Sequence, residues 1–167
     1  KLKNLKKLKM KLFQNIDLII YDFDGVMTNN MLYLDQDSNE MVQLSRADGL
    51  GISEIKKLGF EQMIISTEKN PIVSVRANKL NIDCFQGVES KKSFLLKNIK
   101  KKFKFENILF VGNDINDEEA MKISGKAICP SDAHIKIKEI SDLVLQTKGG
   151  YGVVRELLDI IINERNL

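Results

Sequence analysis

Short apolar runs closed by polar or glycine-bearing turns punctuate this chain. Ile16–Tyr21, Phe60–Thr67, Ile82–Phe85, Asn107–Val111, Ala127–Cys129 and Leu143–Leu145 read as strands, the second ending in the hydroxyls of Ser66 and Thr67. Helix signals lie between them. Arg46-Ala47-Asp48-Gly49 starts a helix through Leu58 with Asp48 as its cap, Asn70-Pro71 opens one to about Leu80, Gln86–Lys92 begins another, and Gly149–Glu156 precedes the last. Met31–Leu34 and Met41–Leu44 flank the turn-forming Asp35–Glu40, the pattern of a β-hairpin. Strands alternating with helices predict an α/β fold with a mainly parallel central sheet, and the hairpin after the first strand should stand over its end as a flap. Residues 1–14 are lysine-rich, with Leu2, Leu5, Leu8 and Leu12 at helical spacing. A helix packed on its own domain is expected there, with a basic helix at a membrane surface as the alternative.

The length, 167 residues, suits one domain over 1–167 with a single sizeable core. Its first residue is lysine rather than methionine, which leaves a trimmed start or a longer parent open. The net charge of +3 comes from lysines spread along the chain with few aromatics between them, so neither nucleic acid nor membrane is an expected partner, while a small anionic substrate is welcome. No apolar run has the length of a membrane span or the make-up of a signal peptide. Cys84 and Cys129 lie in apolar surroundings without metal-ligand spacing and read as reduced thiols of a cytoplasmic protein.

The chemistry concentrates at Asp22-Phe23-Asp24-Gly25, where two carboxylates follow a buried strand. In an open α/β sheet that edge carries the ligand crevice. Carboxylates this close repel one another, and a divalent cation with oxygen ligands is their natural neutraliser. Ser66 ends the second strand, Lys91 stands at a helix start, and the acidic turn Gly112-Asn113-Asp114-Ile115-Asn116-Asp117 follows the fourth strand. The amides of the glycine-rich 149–152 segment are candidates for holding an anion. The only histidine, His134, is read as structural.

Asp22-Phe23-Asp24-Gly25-Val26-Met27-Thr28 resembles the first motif of the haloacid dehalogenase superfamily of phosphatases, and Ser66, Lys91 and Gly112–Asp117 resemble its later motifs in order. The resemblance implies a Rossmann-like three-layer fold. It also implies Asp22 as nucleophile, Asp24 as general acid and base, Ser66 as donor to a phosphate oxygen and Lys91 as electrostatic stabiliser. Mg²⁺ would be held by Asp22, the Asp24 carbonyl and either Asn113 or Asp114, since Asn113 stands where many relatives have Asp; Asp117 would position Lys91 or a metal-bound water.

The interval from Ser66 to Lys91 has room for one helix and one strand, so no cap domain is expected. The resemblance is near the capless branch that includes 3-deoxy-manno-octulosonate 8-phosphate phosphatases, which implies a sugar-acid phosphate substrate and a homotetramer in which hairpins assemble and a neighbour helps close the site. Glu68, Arg76 and Lys79 resemble the set of the 2-keto-3-deoxynononate 9-phosphate phosphatases and are the expected substrate-binding residues, which favours a nine-carbon 9-phosphate over the octulosonate 8-phosphate. The alternative is a non-catalytic assembly module like those fused behind sialic-acid cytidylyltransferases.

Overall fold

The computed structural model describes residues 12–166. The helix expected over residues 1–14 therefore lies almost wholly outside the described residues, although Leu12 and Phe13 are buried in the core. Six strands pair in parallel in the order β5-β4-β1-β6-β7-β8: β1 is Leu18–Tyr21, β4 Glu61–Ile65, β5 Asp83–Phe85, β6 Ile108–Val111, β7 Lys126–Cys129 and β8 Leu143–Val144. Leu18 sits opposite both Glu61 and Ile108, which places β1 in the centre. Its four residues are all fully buried, as are those of β6, because helices cover both faces of the sheet.

Alternate side chains feed two cores. Ile19, Tyr21, Ile64, Leu109 and Val111 pack with α1 (Arg46–Lys57), α2 (Ile72–Leu80) and α6 (Val153–Arg165). Leu18, Ile20, Ile65, Ile108 and Phe110 pack with α3 (Lys91–Phe94) and its π-helical continuation Leu95–Ile99, α4 (Glu118–Ile123) and α5 (Ile135–Ile140). The result is the expected three layers. Between Ser66 and Lys91 the chain builds only α2 and β5.

β2 (Thr28–Leu34) and β3 (Glu40–Leu44) form a separate antiparallel hairpin directly after the Asp-x-Asp turn. Its register slips between Thr28 and Leu32, where Asn30 adopts a positive φ of 61°. The arms leave Met31, Leu32, Tyr33, Leu34 and Met41 more than half exposed. Exposed apolar residues on both faces of a hairpin are unusual in an isolated subunit.

Two sequence expectations need correction. Asp48 does not cap its own helix: Ser45 does, its Oγ accepting from the Ala47 N–H at 3.2 Å. The Asp48 side chain is buried in the α1–α6 contact, where Oδ1 accepts from the N–H groups of Val154 (2.8 Å) and Arg155 (3.2 Å) at the start of α6. Those amides are satisfied within the protein, as are the Gly149 N–H, which donates to Asp132 Oδ1 at 2.9 Å, and the Tyr151 N–H, which donates to the Lys148 carbonyl at 3.2 Å, so they do not serve an outside anion. The adjoining Gly149 and Gly150 instead press their backbone against Gly25 and Thr28–Asn29, with Gly150 donating to the Val26 carbonyl at 3.0 Å; a side chain at either position would collide with that loop.

Candidate active site

Asp22, Ser66 and Asn113 lie just past the carboxyl ends of β1, β4 and β6, three strands that are neighbours in the sheet. The chain leaves β1 toward β4 on one side and returns beside it as β6 on the other, so these ends flank the point where the strand order reverses. A crevice opens there in any sheet of this kind, because consecutive connections cross to opposite faces. It holds a depression of about 330 Å³ lined by Asp22, Asp24, Asn30, Thr67, Asn113 and Asp114. A larger hollow, about 500 Å³, lies at the far end of the sheet near Lys56, Glu61 and Asp83 and contains none of these groups.

Lys91 is the keystone of the polar cluster. Ser90 caps α3 by accepting from the Ser93 N–H at 3.2 Å, which fixes Lys91 as the first helical residue. Its fully buried ammonium lies 2.6 Å from Asp22 Oδ1 and 2.5 Å from Asp117 Oδ1. Burial works against this charge, but Asp22 and Asp117 outweigh it and hold the ammonium above its usual range. Asp117 Oδ2 accepts from the N–H groups of Asn113 (2.9 Å) and Asp114 (3.3 Å), so one carboxylate ties the lysine to the loop after β6. Positioning Lys91 is thus the role the structure gives Asp117.

Asp22 also accepts from the Phe23 N–H at 2.7 Å. Burial, and then Asp117, push its carboxyl well above the normal range, while Lys91 pulls it back. Two carboxylates around one ammonium leave one negative charge uncompensated. A cation beside Asp22 is what would keep it ionised.

The oxygen geometry fits such a cation. Gly25, at φ 79°, turns the chain so tightly against Asn113 that no side chain could occupy its place. The Asn113 amide end then stands 3.3 Å from Asp22 Oδ2 and 2.8 Å from the Asp24 carbonyl oxygen. With nitrogen there, the amide donates to both. With oxygen there, three oxygens converge with no hydrogen between them, which a hard divalent ion resolves. Among the described residues no group of three His, Cys, Asp or Glu side chains makes a metal cage, so a cation here would have one carboxylate, a carbonyl and a neutral amide as its donors, with Asp114 on the same wall.

Asp24 is half-buried beside Asp22. Burial raises its carboxyl, Glu68 and Glu40 add to the rise, and Thr28 and Lys91 oppose it. Ser66 is buried and its Oγ accepts from the Glu68 N–H at 3.1 Å, leaving the hydroxyl proton for another acceptor. His134 caps α5, its Nδ1 accepting from the Lys136 N–H, and its backbone N–H donates to the Asn113 carbonyl at 2.8 Å, a structural role as expected.

The structure divides the expected substrate-binding set. Glu68 lines a hollow of about 220 Å³ under the hairpin with Asp24, Asn30 and Glu40, and its Oε1 accepts from the N–H groups of Lys69 (2.6 Å) and Asn70 (2.7 Å). Arg76 and Lys79 face a different depression with Arg46 and Ser53, where Arg76 donates to the Ser45 carbonyl at 2.9 Å. Neither is hydrogen-bonded or ion-paired to Glu68 among the described residues. Sequence reading missed Asn30, Glu40 and the hydroxyl of Thr28; only the nearness of Thr28 to the carboxylate pair hinted at it.

No family model matches the chain. Among curated proteins, the 3-deoxy-D-manno-octulosonate 8-phosphate phosphatase of Escherichia coli K12 is 30% identical over 151 residues, which cover 89% of this chain and 80% of that protein. A HAD-family hydrolase structure from Streptomyces avermitilis superposes with a TM-score of 0.86 at 34% identity over 90% of this chain and 87% of the other. The octulosonate 8-phosphate phosphatase of Moraxella catarrhalis, solved with magnesium, phosphate and the octulosonate sugar, superposes with a TM-score of 0.87 at 26% identity, covering 93% and 92%. With the ordered motifs on one crevice and relatives matching across nearly its whole length, the chain belongs to the haloacid dehalogenase superfamily, in the capless branch that includes the 3-deoxy-D-manno-octulosonate 8-phosphate phosphatases.

Proposed function

We propose that this protein is a Mg²⁺-dependent phosphomonoesterase that hydrolyses a phosphorylated 3-deoxy-2-keto sugar acid through an aspartyl-phosphate intermediate. The observation that carries the reading is the pairing of Asp22 with buried Lys91 and Asp117, with Asp24 two residues on, at the switch point of the sheet. A passive assembly module has no use for an ammonium buried between two carboxylates, which costs desolvation.

An Asp22 carboxylate oxygen attacks phosphorus as the bond from phosphorus to the sugar oxygen breaks. Asp24 gives its proton to that departing oxygen. Water then attacks the phosphorus of the aspartyl phosphate and loses a proton to Asp24, releasing inorganic phosphate and the Asp22 carboxylate. Ser66 and Lys91 donate to the phosphoryl oxygens as charge develops on them. Asp22, the Asp24 carbonyl and Asn113 or Asp114 would hold Mg²⁺, which supplies charge neutralisation between the anionic nucleophile and the phosphate.

Glu68 and Glu40 make the hollow beside Asp24 acidic. Carboxylates there accept hydrogen bonds from sugar hydroxyls and repel an anion, so the polyol part of the substrate lies near Asp24 and its carboxylate points away. On the resemblance of Glu68, the nine-carbon 9-phosphate is the favoured substrate and the octulosonate 8-phosphate the next. The exposed apolar hairpin is buried in a homotetramer, and the enzyme works in the cytoplasm. Among the described residues no helix is long and apolar enough to cross a membrane.

The test is steady-state hydrolysis of both sugar-acid phosphates with Mg²⁺ by the wild type, Asp22→Asn and Glu68→Ala. Asp22→Asn should fold and lose turnover, since an amide cannot form the acyl phosphate; near-normal activity in a verified preparation overturns the mechanism. Removing Glu68 should change the ratio of kcat/KM between the two substrates, and an unchanged ratio overturns its role in specificity.

A further inference from the structure

The hydroxyl of Thr28 is fully buried and every one of its hydrogen-bonding positions is used. Oγ1 accepts from the Gly25 N–H and from the Asn30 N–H, both at 3.2 Å. A hydroxyl has one proton and two lone pairs, so with both lone pairs taken the proton must point elsewhere. It points to Asp24 Oδ1, 3.3 Å away. Both amide donors are held by tightly constrained backbone: Gly25 lies in the turn against Asn113, and Asn30 is in the hairpin slip at positive φ. The direction of the Thr28 proton is therefore imposed by the fold.

This one-way hydrogen bond has a consequence for Asp24. An oxygen that is already accepting a fixed O–H does not readily carry a proton of its own in the same direction. We infer that Thr28 is a positioning residue that reserves Oδ1 of Asp24 as an acceptor and leaves Oδ2 as the oxygen that delivers the proton to the leaving group. Thr28 is also the first residue of β2, paired with Leu44 across the hairpin. The hairpin that roofs the leaving-group hollow thus begins at the residue that orients the acid.

The inference rests on the role given to Asp24 above, and its signature is sensitivity to the leaving group. A well-oriented general acid matters most when the departing oxygen is strongly basic and little when it is weakly basic. kcat/KM reports on the steps up to departure of that oxygen, so it isolates the acid role from the later hydrolysis. The experiment compares kcat/KM for p-nitrophenyl phosphate, phenyl phosphate and octulosonate 8-phosphate in the wild type, Thr28→Val and Thr28→Ser. Thr28→Val should lose about tenfold more with phenyl phosphate and the sugar phosphate than with p-nitrophenyl phosphate, a fraction of the roughly 10²–10⁴ that general acid–base catalysis supplies. Thr28→Ser, which keeps the hydroxyl, should restore the wild-type dependence. If Thr28→Val does not fold, Thr28→Ala provides the same comparison. An equal loss on all three substrates, or no loss on any, overturns the inference while leaving the phosphatase reading intact. A wild type that turns over none of them removes that reading and this one together.

Discussion

Replacing Asp48 with Asn should change how stability depends on pH. Asp48 is 1% exposed, and burial raises its carboxyl to about 6 against the opposing pull of the Arg155 and Val154 amides and of Arg76. In the unfolded chain an aspartate titrates near ~3.9. The folded state therefore holds this proton more tightly than the unfolded state. Its contribution to stability is complete below about pH 3.9 and is lost as pH rises through about 6. Two units at 1.36 kcal/mol each amount to about 3 kcal/mol, of which about 2 kcal/mol is lost between roughly pH 4.5 and pH 7.5. Asn presents the same acceptor to α6 and does not titrate. Denaturant unfolding of wild type and Asp48→Asn at those two pH values should thus show the variant gaining about 2 kcal/mol on the wild type at the higher pH, or about 4–8 °C in thermal midpoint. Whatever constant penalty the new amide carries cancels in this difference. An offset that is the same at both pH values, or that moves the other way, refutes the reasoning. The stakes are functional as well, because the α6 start that Asp48 caps comes three residues after the glycine pair packed against the Gly25 loop.

Lys91→Met leaves Asp22 and Asp117 buried without their cation, so it should cost about 3–5 kcal/mol in urea unfolding as well as about 10²-fold or more in kcat; unaltered stability would contradict the buried network. Asn113→Asp adds a charge to the proposed ligand set and should lower the Mg²⁺ concentration for half-maximal activity by about tenfold, read from a metal titration. A chelator that leaves the wild type fully active counts against the metal itself. Placing Asp at both Met31 and Leu34 should shift the protein to smaller species in light scattering, because these residues are 69% and 63% exposed in the single subunit; a wild type that is already monomeric rules out hairpin assembly.

The strands and the order of the candidate catalytic groups were legible in the sequence because both are local. A doubly covered strand must be apolar at every position, so β1 and β6 announced themselves, and the residue after each strand end necessarily faces the crevice. Asp22 with Asp24 and the turn at Asn113 stand just past strand ends, whereas Ser66 and Lys91 were singled out by the order of the family's motifs; the neighbouring strands β4, β1 and β6 bring Ser66, Asp22 and Asn113 together, and the start of α3 brings Lys91 to them. Even the spare capacity for a neutralising cation followed from two acids one residue apart.

What only the tertiary structure decided was the choice of partners far apart in sequence. Asp48 has cap chemistry wherever it stands, but the amides it serves are 106 and 107 residues away, and no local spacing records that. The glycine pair at 149–150 has the composition of an anion cradle, yet the backbone it admits is the loop around Gly25. Glu68, Arg76 and Lys79 form a compact set on paper, whereas α2 rises about 1.5 Å per residue, so Lys79 lies about 10 Å down the helix from Ile72 and, with Arg76, lines a separate depression beside α1. Thr28 looked like part of a motif, and its hydroxyl gained a direction only when the turn at Gly25 and the slip at Asn30 aimed two N–H groups at it. Hydrophobic periodicity specifies which face is buried; the hydrogen-bond partner of a buried polar atom is set by how the elements close on one another.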